Sequence, residues 1–264
     1  MRLSEIFSAI ESAAPPSIAA AWDTSGLQVT SRRTTASSLA LCLDPTPESI
    51  RRALKKNAEV IVSHHPLTLK PELPKRRDAY YEALRLLFAA DVPLYAAHTT
   101  LDANPDGPAG WLAGEFKLAN LGVLEPTGPP LREGSLPSGF GLAGDLPCPQ
   151  SLEEITRALA RHVDLSTGAL SGPAPGAVTR LAYCVGSGSS LLKNAVTQGA
   201  QLFITGDVKY HTALAAEICL LDAGHHSLEE EMTRRLCLIL RERLAPLAVF
   251  FVPSSSPRRP LVLS

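Results

Sequence analysis

A chain that repeats one strand–helix–strand pattern has few ways to fold, and this one shows the pattern twice. Leu39-Ala40-Leu41-Cys42-Leu43, displaced by 142 residues, falls on Leu181-Ala182-Tyr183-Cys184-Val185. Without a gap, Ala53 then meets Ala195, Ala58 meets Ala200, and Val60-Ile61-Val62-Ser63 meets Leu202-Phe203-Ile204-Thr205. With a displacement of 127, Ala97-His98-Thr99-Thr100-Leu101-Asp102 falls on Gly224-His225-His226-Ser227-Leu228-Glu229. Short apolar strands match by chance, but these matches keep one order, which is the signature of an internal duplication.

The local signals agree. Leu3, Ile6, Phe7 and Ile10 mark a first helix ended by Pro15-Pro16. Strands at Leu39–Leu43, Val60–Val62 and Pro93–Ala97 alternate with helices around Glu48–Lys56 and Asp78–Ala90, a parallel α/β pattern. Pro126–Pro149 is rich in glycine and proline and reads as loops and short strands. Ser151-Leu152-Glu153-Glu154 is a capping box opening a helix through Arg161. The expected architecture is α/β: two similar, duplicated, three-layer lobes with mainly parallel sheets, residues 1–125 and 126–264.

Composition narrows the function. A formal net charge of -1 provides no basic field, so nucleic acid is not the expected partner. No apolar run is long enough to span a bilayer, and the N-terminus lacks a signal-peptide pattern. The expected compartment is therefore the cytoplasm, with no membrane partner. Five scattered cysteines without a CxxC pair argue against a disulfide framework and a thiolate zinc site.

Histidines and carboxylates cluster where strands end. Ser63-His64-His65-Pro66 follows the Val60–Val62 run, and ligands of open α/β sheets bind at carboxyl ends of strands. These are a metal-ligating pair or else two loop histidines. His98-Thr99-Thr100-Leu101-Asp102 follows the next strand; Asp102 is a hard oxygen ligand, or else a cap for the Asn104–Pro108 turn. Gly224-His225-His226-Ser227-Leu228-Glu229-Glu230-Glu231 contains a second capping box, Ser227 to Glu230. It places His225 at a strand end and Glu229 in the first helical turn, so their spacing is not read as one helical face. Three such clusters along one sheet edge converge on a divalent-metal site without thiolates, in a cleft between the lobes. Gly186-Ser187-Gly188 is either a tight turn or a phosphate cradle. Asp207, Lys209 and His211 are candidates to line the same cleft.

Together with Trp22-Asp23-Thr24-Ser25-Gly26-Leu27-Gln28-Val29, these motifs resemble the Nif-three-like family, whose members include GTP cyclohydrolase 1 type 2 homologues. The resemblance runs along nearly the whole chain, in the short form without a central insertion. It implies two divalent ions per chain (Zn, Mn, Fe, Co or Ni), with His65 and Asp102 on one, His64 and His225 on the other, and Glu229 bridging. It also implies a ring-shaped homohexamer. Two positions depart from the family pattern: Thr100 stands where Asn is usual, and His226 where Tyr is common. The expected function is a metal-dependent hydrolase, acting on a nucleotide by purine-ring opening as in GTP cyclohydrolase, which the resemblance implies, or on a phosphoester, with a small anionic substrate and His98 and His211 as the catalytic proton carriers. The alternative is a non-catalytic, metal-handling hexameric scaffold.

Overall fold

The computed structural model describes residues 1–70 and 72–260. In chain order the elements are α1 (Leu3–Ala13), β1 (Gly26–Val29), β2 (Ser38–Cys42), α2 (Pro47–Lys55), β3 (Val60–Ser63), α3 (Ala79–Ala90), β4 (Leu94–Ala96) and α4 (Thr99–Asp102). They continue with α5 (Trp111–Glu115), β5 (Ala119–Pro130), β6 (Pro137–Gln150), α6 (Leu152–Leu159), β7 (Ala169–Ser171), β8 (Val178–Tyr183) and α7 (Leu192–Thr197). The last are β9 (Leu202–Thr205), α8 (Tyr210–Leu214), β10 (Cys219–Asp222), α9 (His225–Arg243) and β11 (Ala248–Phe251). Among the described residues no helix is long and apolar enough to cross a membrane.

The first compact unit comprises Met1–Leu101 and Thr233–Ser255. Its five-stranded sheet has the order β1-β4-β3-β2-β11. The β11–β2, β2–β3 and β3–β4 pairings are parallel, and β1 joins β4 antiparallel. Every residue of β2, β3 and β4 is buried, as strands covered on both faces require. α2 begins where Thr46 accepts the Ser49 N–H behind Pro47, and α3 where Asp78 accepts that of Tyr81, the expected N-caps. On one side the core packs Ala40, Ile61 and Leu94 against Ile50 and Ala53 of α2 and Ala83 and Leu87 of α3.

The second unit comprises Asp102–Met232 and Ser256–Ser264. Its six-stranded sheet has the order β5-β6-β8-β9-β10-β7. Only β8–β9 and β9–β10 are parallel. The β5–β6, β6–β8 and β10–β7 pairings are antiparallel, so this sheet is mixed rather than mainly parallel. The Gly/Pro-rich segment expected as loops and short strands lies in one long β5–β6 hairpin. Its prolines are accommodated because β5 is an edge strand and both ladders of β6 carry register shifts. The lobe boundary expected at 125/126 falls inside β5, and β11 returns to the first sheet.

Within each sheet one strand–helix–strand unit has the same register. Leu39 pairs with Val60 and Ala40 with Ile61; Leu181 pairs with Leu202 and Ala182 with Phe203. Both pairs of pairings are related by the 142-residue displacement. At the following strand the correspondence differs from expectation by one residue. Ala97 donates to the Ser63 carbonyl and Ala223 to that of Thr205, which sets His98 against Gly224 and Thr99 against His225. The 127-residue displacement had matched the two histidines.

Candidate metal centre

In the first unit, three imidazoles meet beyond the ends of β3 and β4. Backbone bonds extend the ladder past β3: His64 N–H donates to the Cys42 carbonyl (3.1 Å) and His65 N–H to that of Leu43 (3.0 Å). A ring nitrogen from each of His64, His65 and His98 lies within 4.8 Å of the others, a group able to hold a metal ion. His64 is buried, and the other two are partly so.

Each ring is held from behind. His64 Nδ1 lies 2.9 Å from the Ala97 carbonyl, His65 Nδ1 2.7 Å from Asp44 Oδ1, and His98 Nδ1 2.8 Å from Asp23 Oδ1. Acceptors there place the proton on Nδ1 and make Nε2 the lone-pair nitrogen, the outer-shell arrangement of histidine ligands. Asp44 was not anticipated, although Leu43-Asp44-Pro45 stands at the end of a buried strand, where it could have been found.

Asp23 is the most firmly built of these supports. Its side chain is fully buried and accepts bonds from His98, Ser25 Oγ, Thr99 Oγ1 and the N–H groups of Thr24 and Thr99. Burial pushes its pKa up, but bonds from His98, Ser25 and Thr99 outweigh that and hold it well below the usual carboxylate range. A depressed pKa gives stability that is complete above the unfolded value and lost as pH falls through the folded one. We therefore expect Asp23→Asn to lower the urea midpoint at neutral pH and to flatten its fall below about pH 4; an unchanged acid limb would refute this account. Beside this network Trp22 is 61% exposed and meets the His98 ring edge-on at 5.8 Å.

In the second unit the donors surround the start of α9. The helix begins at His225, earlier than the Ser227 capping box suggested. Gly224 turns the chain at φ 85°, its N–H donating to Asp222, while Ser227 Oγ donates to the Asp164 carbonyl. His225 and Glu229 are consequently i, i+4 neighbours on one helical face, a correction to the sequence reading, with Nε2 and Oε2 2.8 Å apart. Asp207 Oδ2 lies 2.6 Å from His225 Nδ1. Burial lowers the His225 pKa, but Glu229 and then Asp207 outweigh it and raise it to about 9. The two carboxylates thus favour a positive charge on the His225 ring.

Two glycines create the room. A Cβ on Gly186, at φ 67°, would lie 2.0 Å from Glu229 Oε1, and one on Gly206 would lie 2.3 Å from the His225 backbone nitrogen. Gly186-Ser187-Gly188 is therefore a packing turn: the Gly188 N–H is already committed to Thr205 Oγ1 (2.9 Å). Burial first, then the charges of Asp102, Glu229 and Glu125, push the Cys184 thiol up, so the donors here are oxygen and nitrogen rather than thiolate. Asp102 also lines a small cavity with Gly139, Gly141, Tyr183 and Val185. Lys209 and His211 are exposed around the start of α8, where His211 packs on Tyr210; neither belongs to either donor set.

These features define an α/β protein whose strand ends carry histidine and carboxylate groups able to hold a metal ion. The sequence profile of the Duf34/NIF3 (NGG1p interacting factor 3) family matches residues 1–257, and the chain belongs to that family. It is 30% identical over 222 residues to a GTP cyclohydrolase 1 type 2 homolog of Nostoc sp., covering 82% of this chain and 80% of that one. A protein of the same name from Clostridium perfringens is 29% identical over 248 residues, covering 92% and 93%. A crystal structure of a Staphylococcus aureus hypothetical protein shares the fold at a TM-score of 0.85 and 24% identity, covering 99% of both chains.

Proposed function

We propose that the chain is a dinuclear, divalent-metal-dependent hydrolase acting on a nucleotide, in the manner of a GTP cyclohydrolase, or on a phosphoester. Its ligands are His64, His65, Asp102, His225 and Glu229, with His65 and Asp102 on one ion, His64 and His225 on the other, and Glu229 between them. The observation that carries this reading is the shared fixing of His64, His65 and His225, each with an acceptor at Nδ1. That arrangement orients Nε2 to ligate; His98, held in the same way by Asp23, is kept as the proton carrier. The donor set fits a borderline or hard divalent ion. The reading treats the two strand–helix–strand units as copies of one ancestor.

When bound, such ions lower the pKa of water and neutralise charge developing on a phosphate. The chain supplies the cage, the outer-shell acceptors that hold it, and a proton carrier. His98 is the carrier the geometry favours, because Asp23 fixes its ring beside His64 and His65; His211 is exposed. The names of the relatives make GTP the first substrate to try. We further propose a cytoplasmic, ring-shaped homohexamer, to be checked by light scattering.

Metal-free protein re-exposed to Mn, Zn, Fe, Co or Ni should take up two ions per chain by elemental analysis. It should then turn over a member of a nucleotide and phosphoester panel, with activity lost in His65→Ala. Two ions retained in the His64→Ala/His225→Ala double variant would sink the ligand assignment. Full occupancy without turnover across the panel would favour the metal-handling scaffold.

A further inference from the structure

We propose that Arg258 is a positioning residue for His225, acting through Asp207, so that the C-terminal tail takes part in holding the metal centre. The inference rests on the reading of His225 as a ligand. Asp207 follows the close-packed Gly206 and sits in the left-handed region at φ 54°, which a short polar residue tolerates. Its two oxygens are divided. Oδ2 lies 2.6 Å from His225 Nδ1, and Oδ1 lies 3.0 Å from Arg258 Nη2.

A carboxylate held at one oxygen turns about its Cβ–Cγ bond and carries its partner with it. Held at both, it presents a fixed edge. Asp23 needs no such second hold, because its buried carboxylate is surrounded by donors from its own loop and from Thr99. The Asp207 side chain is 35% exposed and that of Arg258 66%. Exposed ion pairs contribute little to stability, so the expected effect of Arg258 is on orientation. Outer-shell partners of metal ligands are typically worth about 10–100-fold in affinity, and an exposed contact belongs at the lower end. Because coupling is reciprocal, a metal on His225 also holds the tail in place.

The test uses full-length, metal-free protein titrated with Co(II) by calorimetry and visible spectroscopy, for wild type, Arg258→Ala and Arg258→Lys. For Arg258→Ala we expect about tenfold weaker binding of one ion at low salt, an altered Co(II) spectrum and an unchanged urea midpoint. The affinity gap should narrow near 1 M NaCl, where the screening length is about 3 Å. Arg258→Lys, which keeps the charge but not the planar fork, should fall between. Co(II) should also slow tryptic cleavage of the wild-type Arg258–Arg259 bond. Wild-type affinity and spectrum in Arg258→Ala, with wild type still binding two ions, would overturn this inference alone. So would a loss of affinity that merely tracks a fall in the urea midpoint. If wild type binds no metal, the proposed function fails and this inference with it.

Discussion

Replacing Gly206 by alanine is expected to destabilise the chain by roughly 3 kcal/mol or more, the upper range for overpacking, and to remove metal binding at His225. The new Cβ would lie 2.3 Å from the His225 nitrogen, 2.5 Å from its Cα and 2.9 Å from the Gly186 carbonyl oxygen. All three are backbone atoms, so no rotamer relieves the clash; the end of β9 must part from the start of α9. That also strains the Gly206 N–H bond to Gly186 (2.9 Å). For a chain of this size the cost corresponds to a fall in Tm of about 6–12 °C. Gly176→Ala is the control, since a Cβ there meets nothing within 4 Å, and its midpoint should stay within about 0.5 kcal/mol of wild type. A wild-type midpoint and wild-type Co(II) affinity in Gly206→Ala would show that β9 and α9 are not in close contact.

The second large effect belongs to Glu229. Glu229→Gln keeps the shape of a side chain only 4% exposed but removes the charge that faces His225 Nε2 at 2.8 Å. Metal affinity should fall at least about 100-fold, because even the residues behind a ligand are worth about 10–100-fold. The metal-free fold should survive, since neutralising a buried carboxylate also removes its desolvation cost. His211→Ala, on an exposed ring, should bind metal as wild type does. Elemental analysis after dialysis, with calorimetry on the same samples, separates these outcomes. Equal affinity in Glu229→Gln and wild type would remove Glu229 from the ligand set.

How far these features could be read in advance depended on whether the cause was local. β2, β3, β4, α2 and α3 were legible because buried parallel strands and capped amphipathic helices write their periods into adjacent residues. The clusters at His64, His98 and His225 were legible for the same reason: each sits directly after an apolar run. The β5–β6 hairpin was not, because glycine and proline signal turns locally, while the partner strand and the edge position that accommodate them are remote. The start of α9 was misplaced by a real capping-box pattern whose serine is used elsewhere, on Asp164. The sequence marks Asp207 as a candidate to line the cleft but not as the partner of His225, and Asp44 and Arg258 each contact a histidine or its partner far along the chain, which no spacing rule reports. The match of His98 with His225 failed by a single residue, a difference that only the backbone bonds of Ala97 and Ala223 resolve.

The pairing of β11 with β2 bears on how the protein is made. Leu39 is hydrogen-bond neighbour to Val249, and Leu41 to Phe251, so one edge of the first sheet is supplied by a strand synthesised only after every strand of the second sheet. Until then β2 offers an open, largely apolar edge, the kind of surface that recruits strands from other nascent chains. Shielding during synthesis should matter more for this first unit than its native stability suggests. Stalled or C-terminally truncated chains should then be the aggregating species, and ending translation before Ala248 should leave a chain that is chaperone-bound or insoluble.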